Sequence, residues 1–261
     1  MHGEVAEWLK ALVLKTRDHE SGPRVRISPS PLLTASTTCV VARYFVLALK
    51  TLFFCYNNCM KILLATNNKA KIERFKRLIK AIDSNIELLS PSELGIEIIN
   101  TEENGNTLME NAELKARAYL GKVDFPILSN DTGFYVEGEG FIDAPKRKAL
   151  EGLDESNLTE EEVSKKLLDF WKNIASKYGG EVDAAWVEAF ILLLPNGEVK
   201  KSESRREVIL TNQEFGTPHI NFPVRALYYS KITNKPAVLH TEEDEVIELK
   251  PVIDAMAKIL K

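Results

Sequence analysis

Cysteine is missing from most of this chain. All three, Cys39, Cys55 and Cys59, fall before residue 60. Residues 60–261 therefore hold no disulfide, thiolate metal site or cysteine nucleophile, which suits a cytoplasmic protein. Histidine is almost as scarce there, with only His219 and His240, and that argues against a zinc site or a Ser-His-Asp triad. Long apolar runs are also lacking. The best, Val40 to Tyr56, is interrupted by Arg43 and Lys50, whereas a membrane-spanning helix needs ~20 mostly apolar residues. Positive charge is in deficit. Residues 1–59 carry seven basic and four acidic side chains of the 34 and 38 in the whole chain, which leaves 27 and 34 and a net charge of −7 for residues 60–261. An acidic domain without a basic patch argues against nucleic acid as the main partner. No internal repeat or low-complexity tract is present.

What remains is patterned as an α/β domain with a mixed central sheet and flanking helices. Lys61 to Ala65 is an apolar run suited to a buried strand, followed by a polar turn at Asn67 and Asn68. From Lys71, the apolar residues Ile72, Phe75, Leu78 and Ile79 recur at helical spacing. Short strands are expected at Glu87 to Leu89 and Ile96 to Ile99, at Pro126 to Leu128, and at Phe134 to Val136. Thr107 with Glu110, and Thr159 with Glu162, are capping-box signals for helices running to Leu120 and to about Lys177. Asn196-Gly197 between two strand-like runs, Ala184 to Pro195 and on to Leu210, predicts a hairpin. A last helix is expected after Pro251, with Ile253, Met256, Ala257 and Leu260 on its apolar face.

Three segments carry chemistry. In KILLATNNKAK, residues 61–71, a strand gives way to a helix. Backbone N–H groups at such a junction favour anions, and Lys71 adds a point charge for phosphate. In TEENGNTLMENAELKARAYL, residues 101–120, an acidic turn opens a helix, with Glu103 and Glu102 both available as ligands. In ILSNDTGF, residues 127–134, Asp131 lies among apolar strand residues, where a carboxylate needs a partner or costs several kcal/mol. Two carboxylates with waters and substrate phosphates are what magnesium takes.

These residues resemble the inosine triphosphate pyrophosphatase family, which hydrolyses aberrant purine nucleoside triphosphates. Its Thr-x-Asn-x-x-Lys matches Thr66, Asn68 and Lys71. Its Glu-x-Gly-x-Thr-x-x-Glu-Asn-Ala-x-x-Lys-Ala matches Glu103, Gly105, Thr107, Glu110, Asn111, Ala112, Lys115 and Ala116. Its Asp-(Ser/Thr)-Gly matches Asp131, Thr132 and Gly133. The resemblance implies two lobes around a deep nucleotide cleft, a homodimer and magnesium as cofactor. It assigns Glu103 and Asp131 to the metal and Asp131 to catalysis. Thr66, Asn67, Asn68, Lys71, Thr132 and Phe215 are assigned to the substrate, a non-standard purine triphosphate such as ITP, XTP or dITP, released as monophosphate and pyrophosphate. A nucleotide-binding protein with little turnover is the alternative.

The chain departs from that pattern at several places. Asn130 stands where the family usually has an acid. The base-reading Gly-Phe-Gly-Tyr-Asp-Pro is reduced to EFGTPHINFP, residues 214–223, and the Ser-His-Arg before the last helix is missing. Phe215 stacks on a base or belongs to the core. His219, Arg225 and His240 are stand-ins or surface residues. The family's Tyr-Ser-x-Arg is replaced by APKRKALEG, in which Lys146, Arg147 and Lys148 meet phosphate or form a solvated face.

The family resemblance begins at Met60 and covers 202 residues. Before it, GEVAEWLKALVLKT and GPRVRISPSP resemble a transfer-RNA gene read as protein, and Val25-Arg26-Ile27 can be encoded by the T-arm consensus. Residues 1–59 are therefore expected to be a mis-called extension and residues 60–261 the pyrophosphatase domain, the rival reading of 1–59 being a membrane anchor. A chain beginning at Met60 is expected to unfold cooperatively and to match the full chain in solubility. Loss of a cooperative urea transition in the shorter chain would exclude that division.

Overall fold

The structure is a computed structural model and describes residues 59–261. The transfer-RNA-like wording and the anchor reading of Val40 to Tyr56 lie outside the described residues. Among those residues no helix is long and apolar enough to cross a membrane.

One curled, seven-stranded mixed sheet organises the chain. Its strands are β1 (Met60–Leu64), β2 (Ile86–Leu89), β3 (Ile127–Val136), β4 (Gly140–Phe141), β5 (Glu181–Leu193), β6 (Val199–Thr211) and β7 (Tyr228–Ser230). The order is β2-β1-β3-β5-β6-β7, with β4 attached to β3. β1 is parallel to both β2 and β3, and the rest pair antiparallel. A parallel strand covered on both faces should be apolar throughout, and Ile62, Leu63 and Leu64 are all buried. The Asn196-Gly197 hairpin forms as its sequence predicts. Gly197 takes φ 87° and β5 pairs β6 along both thirteen-residue strands.

Helices cover both faces. On one face lie α1 (Lys69–Ile82), α4 (Glu160–Lys177) and α5 (Glu242–Leu260). Phe75, Leu78 and Ile79 of α1 and Val252, Met256 and Ile259 of α5 pack on Ile62, Leu64, Phe190 and Leu192. Leu168, Trp171, Ile174 and Ala175 of α4 close a second core with Phe134, Val136, Ala184 and Val208. On the other face, α2 (Leu108–Ala118) sets Ala112 and Ala116 against Leu63, Ala189 and Ile191. Those two alanines are fully buried, so the helix sits close to the sheet. A one-turn helix, α3 (Pro145–Ala149), follows β4. The capping box at Thr159 and Glu162 is complete.

Three expectations are corrected. Ile96 to Ile99 is not a strand. The turn at Ser92–Leu94 and Gly95, at φ 66°, leads the chain away from β2, and Ile96 and Ile99 pack instead on the α2 cluster. The strands expected at Pro126–Leu128 and Phe134–Val136 are not separate but merge into one ten-residue strand through Asp131 that starts at Ile127, held by register with β5 from Ile127↔Leu193 to Val136↔Ala184. The last helix starts at Glu242, and Pro251 lies inside it. An interior proline costs about 3 kcal/mol. Offsetting it are the capping box of Thr241 and Asp244 and the burial of Val252, Ala255, Met256 and Ile259. The buried face thus runs through those four residues, with Ile253, Ala257 and Leu260 half-buried beside it.

Under the middle of the sheet lies a chain of buried charges. Glu188 is fully buried and takes both Arg74 guanidinium nitrogens, at 2.7 and 2.8 Å, and Arg206 at 3.1 Å. Arg206 continues to Glu248 at 3.3 Å, which accepts from the Ser230 hydroxyl. Burial acts to raise the Glu188 pKa, but the hydrogen bond and charge of Arg74, with the charge of Arg206, hold it below its ordinary 4.5. Breaking one member of such a network leaves uncompensated charge, so Glu188→Gln should cost about 3–5 kcal/mol in urea unfolding. A carboxyl whose folded pKa is depressed stabilises fully above its unfolded value and loses that contribution as pH falls through the folded one. Below about pH 4.5 the wild type should therefore lose stability more steeply than Glu188→Gln, and parallel pH profiles would contradict the assignment.

Candidate functional site

The site is made by a gap in the sheet. β1 pairs with β3 only at Leu63↔Ile127 and Leu64↔Leu128, and β4 joins at Tyr135 and Val136. Between these, β3 has its ladder partner on the β5 side alone. Asn130, Asp131, Thr132 and Gly133 thus lie beside cavities at this gap, with Asn130 and Asp131 themselves buried.

The loop leaving β1 fills one side of the gap. Thr66 Oγ1 accepts from the Asn68 N–H at 3.3 Å, and Asn68 Oδ1 caps α1 by accepting from the Lys71 N–H at 3.1 Å. Lys71 then reaches Asn130 Oδ1 at 3.4 Å. Thr66, Asn67, Asn68, Lys71, Glu103, Lys115 and Asn130 line one cleft of about 320 Å³. Burial and the neighbouring Lys115 push the Lys71 pKa down from 10.5, against the pull of Asp131, Glu188 and Glu103.

The loop before α2 fills the other side. Thr107 Oγ1 caps α2 by accepting from the Glu110 N–H at 3.1 Å. Only half of the expected capping box forms, because the Glu110 carboxylate turns to the Asn106 N–H at 2.6 Å. Asn111 Oδ1 accepts from the Gly105 N–H at 2.8 Å and ties the acidic loop to the helix. One turn further along α2, Lys115 Nζ lies 2.8 Å from Glu103 Oε1 and 2.7 Å from Asp131 Oδ1. Burial acts to lower the Lys115 pKa, but its hydrogen bonds to Asp131 and Glu103 outweigh this and the net shift is upward. Lys115 carried no role in the sequence reading. The signal was its place on one face of α2, four residues after Asn111.

Glu103 and Asp131, the expected metal pair, are thus brought together across a lysine. Among the described residues no group of three His, Cys, Asp or Glu assembles. A pair of carboxylates, already holding a cation between them, fits an ion that takes one or two carboxylates and completes its shell with water and phosphate. Asn130 adds no charge. Its Nδ2 donates to the Asp131 and Ala189 carbonyls, both at 3.2 Å, while Oδ1 accepts from Thr132 Oγ1 at 3.0 Å and from Lys71. A carboxylate could not donate to those two carbonyls.

A second, larger cavity of about 960 Å³ adjoins the acidic pair. Asp131, Thr132 and Gly133 form one wall, and Leu108, Phe134, Phe141, Trp171 and Trp186 supply apolar surface. Phe134 lies 5.2 Å from Trp171 and 4.5 Å from Trp186 between ring centroids. Phe215 lines neither cavity, and its ring packs edge-on against Tyr229 at 6.4 Å. His219 is exposed, and Arg225 is paired with Glu245. The His240 side chain is buried, with Nε2 2.9 Å from Thr233 Oγ1 and Nδ1 3.7 Å from Glu245. Lys146 and Arg147 pair with Glu155 and Asp143 on the exposed surface of α3.

The sequence model of the Ham1 family matches residues 62–220. The chain belongs to the Ham1 family. The dITP/XTP pyrophosphatase of Malacoplasma penetrans is 33% identical over 160 residues, which cover 59% of this chain and 74% of that protein. The dITP/XTP pyrophosphatase of Clostridium perfringens is 29% identical over 197 residues, or 69% and 91% of the two chains. That of Thermoanaerobacter pseudethanolicus is 36% identical over 115 residues, 44% of this chain and 55% of that one, so the match spans about half of that relative's length. Among solved structures, the Staphylococcus aureus Ham1 protein superposes with a TM-score of 0.57 at 22% identity, covering 77% of this chain and 97% of that one. A HAM1 protein from Coxiella burnetii gives 0.59 at 20% identity, covering 77% and 98%. The Ham1 fold is therefore shared along nearly the full length of those proteins.

Gly105 is the tightest point of this Ham1 site. A Cβ there would lie 2.7 Å from Asn111 Oδ1 and 2.8 Å from Glu110 Cβ. Gly105→Ala should detach the acidic loop from α2, raise hydrogen exchange over residues 101–106 and, on the expected metal role of Glu103, weaken divalent-metal binding by about tenfold or more. Unchanged exchange and metal affinity would show that the loop does not depend on this contact.

Proposed function

We propose that this Ham1-family chain is a magnesium-dependent nucleoside triphosphate pyrophosphohydrolase that cleaves between the α and β phosphates. The observation that carries this reading is the convergence of a phosphate-suited loop, Thr66 to Lys71, and a carboxylate pair, Glu103 and Asp131, on one gap in the sheet. In this reading the phosphates occupy the smaller cleft, where the α1 N-terminus and two lysines meet them. The sugar and base extend into the larger aromatic cavity, beginning at Thr132. Glu103 and Asp131 would hold magnesium, which would supply positive charge to the phosphates. Asp131, whose Oδ1 accepts from Lys115 in the resting site, takes the proton from the attacking water. Lys71 stabilises charge that develops on the phosphates. Residues 1–59 are proposed to have no part in the reaction and to be dispensable. The protein is proposed to act in the cytoplasm as a homodimer.

Substrate choice is proposed to be relaxed. ITP and XTP are hydrolysed, with weaker preference over ATP and GTP than in relatives that keep the base-reading segments. The support is the internal pairing of Arg225 and the absence of His219, His240 and Phe215 from both cavities. A second reading, nucleotide binding with little turnover, is favoured by Asn130, whose amide brings no negative charge to the site.

Pyrophosphate release with magnesium and ITP, XTP, dUTP, ATP or GTP tests both. Asp131→Asn should lower kcat by about 10²–10⁴-fold with the fold intact. Near-normal rates in Asp131→Asn would remove Asp131 as the base. A large ITP preference would exclude relaxed choice, and no turnover of any nucleotide would favour the binding reading.

A further inference from the structure

The ammonium of Lys115 occupies the space between two carboxylates that a shared cation would occupy, at 2.8 Å from Glu103 and 2.7 Å from Asp131. We infer that Lys115 is a resident counter-ion that holds free divalent metal off this pair and gives way when phosphate arrives to take its charge. The inference rests on the proposed assignment of Glu103 and Asp131 as the metal pair.

The geometry supports an exchange of partners. Lys115 is rooted on α2, and its side chain is 17% exposed, so it reaches the pair from a fixed helix through a flexible stem. A metal ion entering alone must break both ion pairs and leave an ammonium beside a divalent cation, least screened by water at Asp131, which is 9% exposed against 52% for Glu103. The cleft beside the pair gives that ammonium somewhere to go. Lys115 lines it together with Thr66, Asn67, Asn68 and Lys71. Lys71 points the same sign of charge into that cleft, where its neighbour is the neutral amide of Asn130. An anion placed there meets two lysines and the N-terminus of α1, and compensates Lys115 for the carboxylates it leaves. Metal and phosphate are thereby coupled through one side chain, and such coupling is reciprocal.

Metal binding to the full chain tests this without reference to turnover. Manganese is titrated, with electron paramagnetic resonance reading the free ion. Lys115→Met is expected to bind manganese about tenfold or more tightly than wild type, because the competing charge is gone. Lys115→Gln is a second neutral variant should the methionine disturb folding. Lys115→Arg keeps the charge and should bind as weakly as wild type. Added inorganic phosphate should tighten manganese binding to wild type by a larger factor than to Lys115→Met. Equal or weaker binding by both neutral variants, with folding confirmed by circular dichroism, would overturn the inference, and so would an equal effect of phosphate on wild type and Lys115→Met. The double variant Lys115→Met, Asp131→Asn separates the two levels. Loss of the gain there supports both. Retention of the gain would mean that the metal lies elsewhere, which overturns the metal-pair reading and the inference together.

Discussion

The ten-residue ladder between β3 and β5 is the interaction on which the rest of the site depends. It satisfies β3 on one side from Ile127 to Val136, so the strand stays extended where it has no ladder neighbour on the other side. An interior strand that loses a neighbour exposes backbone polar groups, and a fold normally covers or repairs such an edge. Here the edge is used. Polar residues that fit a strand poorly by propensity, Asn130, Asp131 and Gly133, are tolerated because β5 holds the backbone and the open side receives their chemistry.

Charge in this protein is arranged in two tiers around that edge. Beneath the sheet, Arg74, Glu188, Arg206 and Glu248 pair in a chain, with Arg74 a quarter exposed and Arg206 Nε left without a partner. A buried network of this kind contributes more to a single arrangement than to net stability, because desolvation cancels much of the attraction. Arg74 lies on α1 one turn after Lys71, so its clamp on Glu188, the β5 partner of Thr132, fixes the helix that carries Lys71 to the strand that faces the cleft. At the cleft itself, Lys115 ties the acidic loop to β3. The lower tier sets positions, and the upper tier holds charges that an incoming ligand can rearrange.

Local signals were legible where local physics decides the outcome. The Thr159–Glu162 box, the Asn196-Gly197 turn and the apolar spacing of α1 each specify structure within a few residues, and each formed. Glu103 and Asp131 were readable as a pair only through the motif resemblance, since 28 positions separate them in sequence and a helix must bring them together. The misreadings share a cause. Pro251 looked like a helix start because proline lacks an N–H, yet packing of α5 on the sheet overrides that local preference. Ile96 to Ile99 has the composition of a strand, but its apolar side chains found α2 rather than a sheet edge. Lys115 was visible only as a motif letter, because its role depends on two carboxylates reached through tertiary structure.

Asn130 shows how a single atom type can decide between charge and order. A carboxylate there would bring the site a third negative group and a stronger hold on a divalent ion. It would also face the carbonyls of Asp131 and Ala189 with no proton to offer. The amide instead donates to both and accepts from Thr132 and Lys71, so all of its ordinary hydrogen-bonding capacity is spent on fixing β3, β5 and Lys71 relative to one another. The negative charge of the site then rests on Asp131 and Glu103, both already satisfied by Lys115. With fewer carboxylates competing for one lysine, the resting site is close to electrically balanced. In the proposed exchange, its demand for a further cation arises when an anion draws the lysine away.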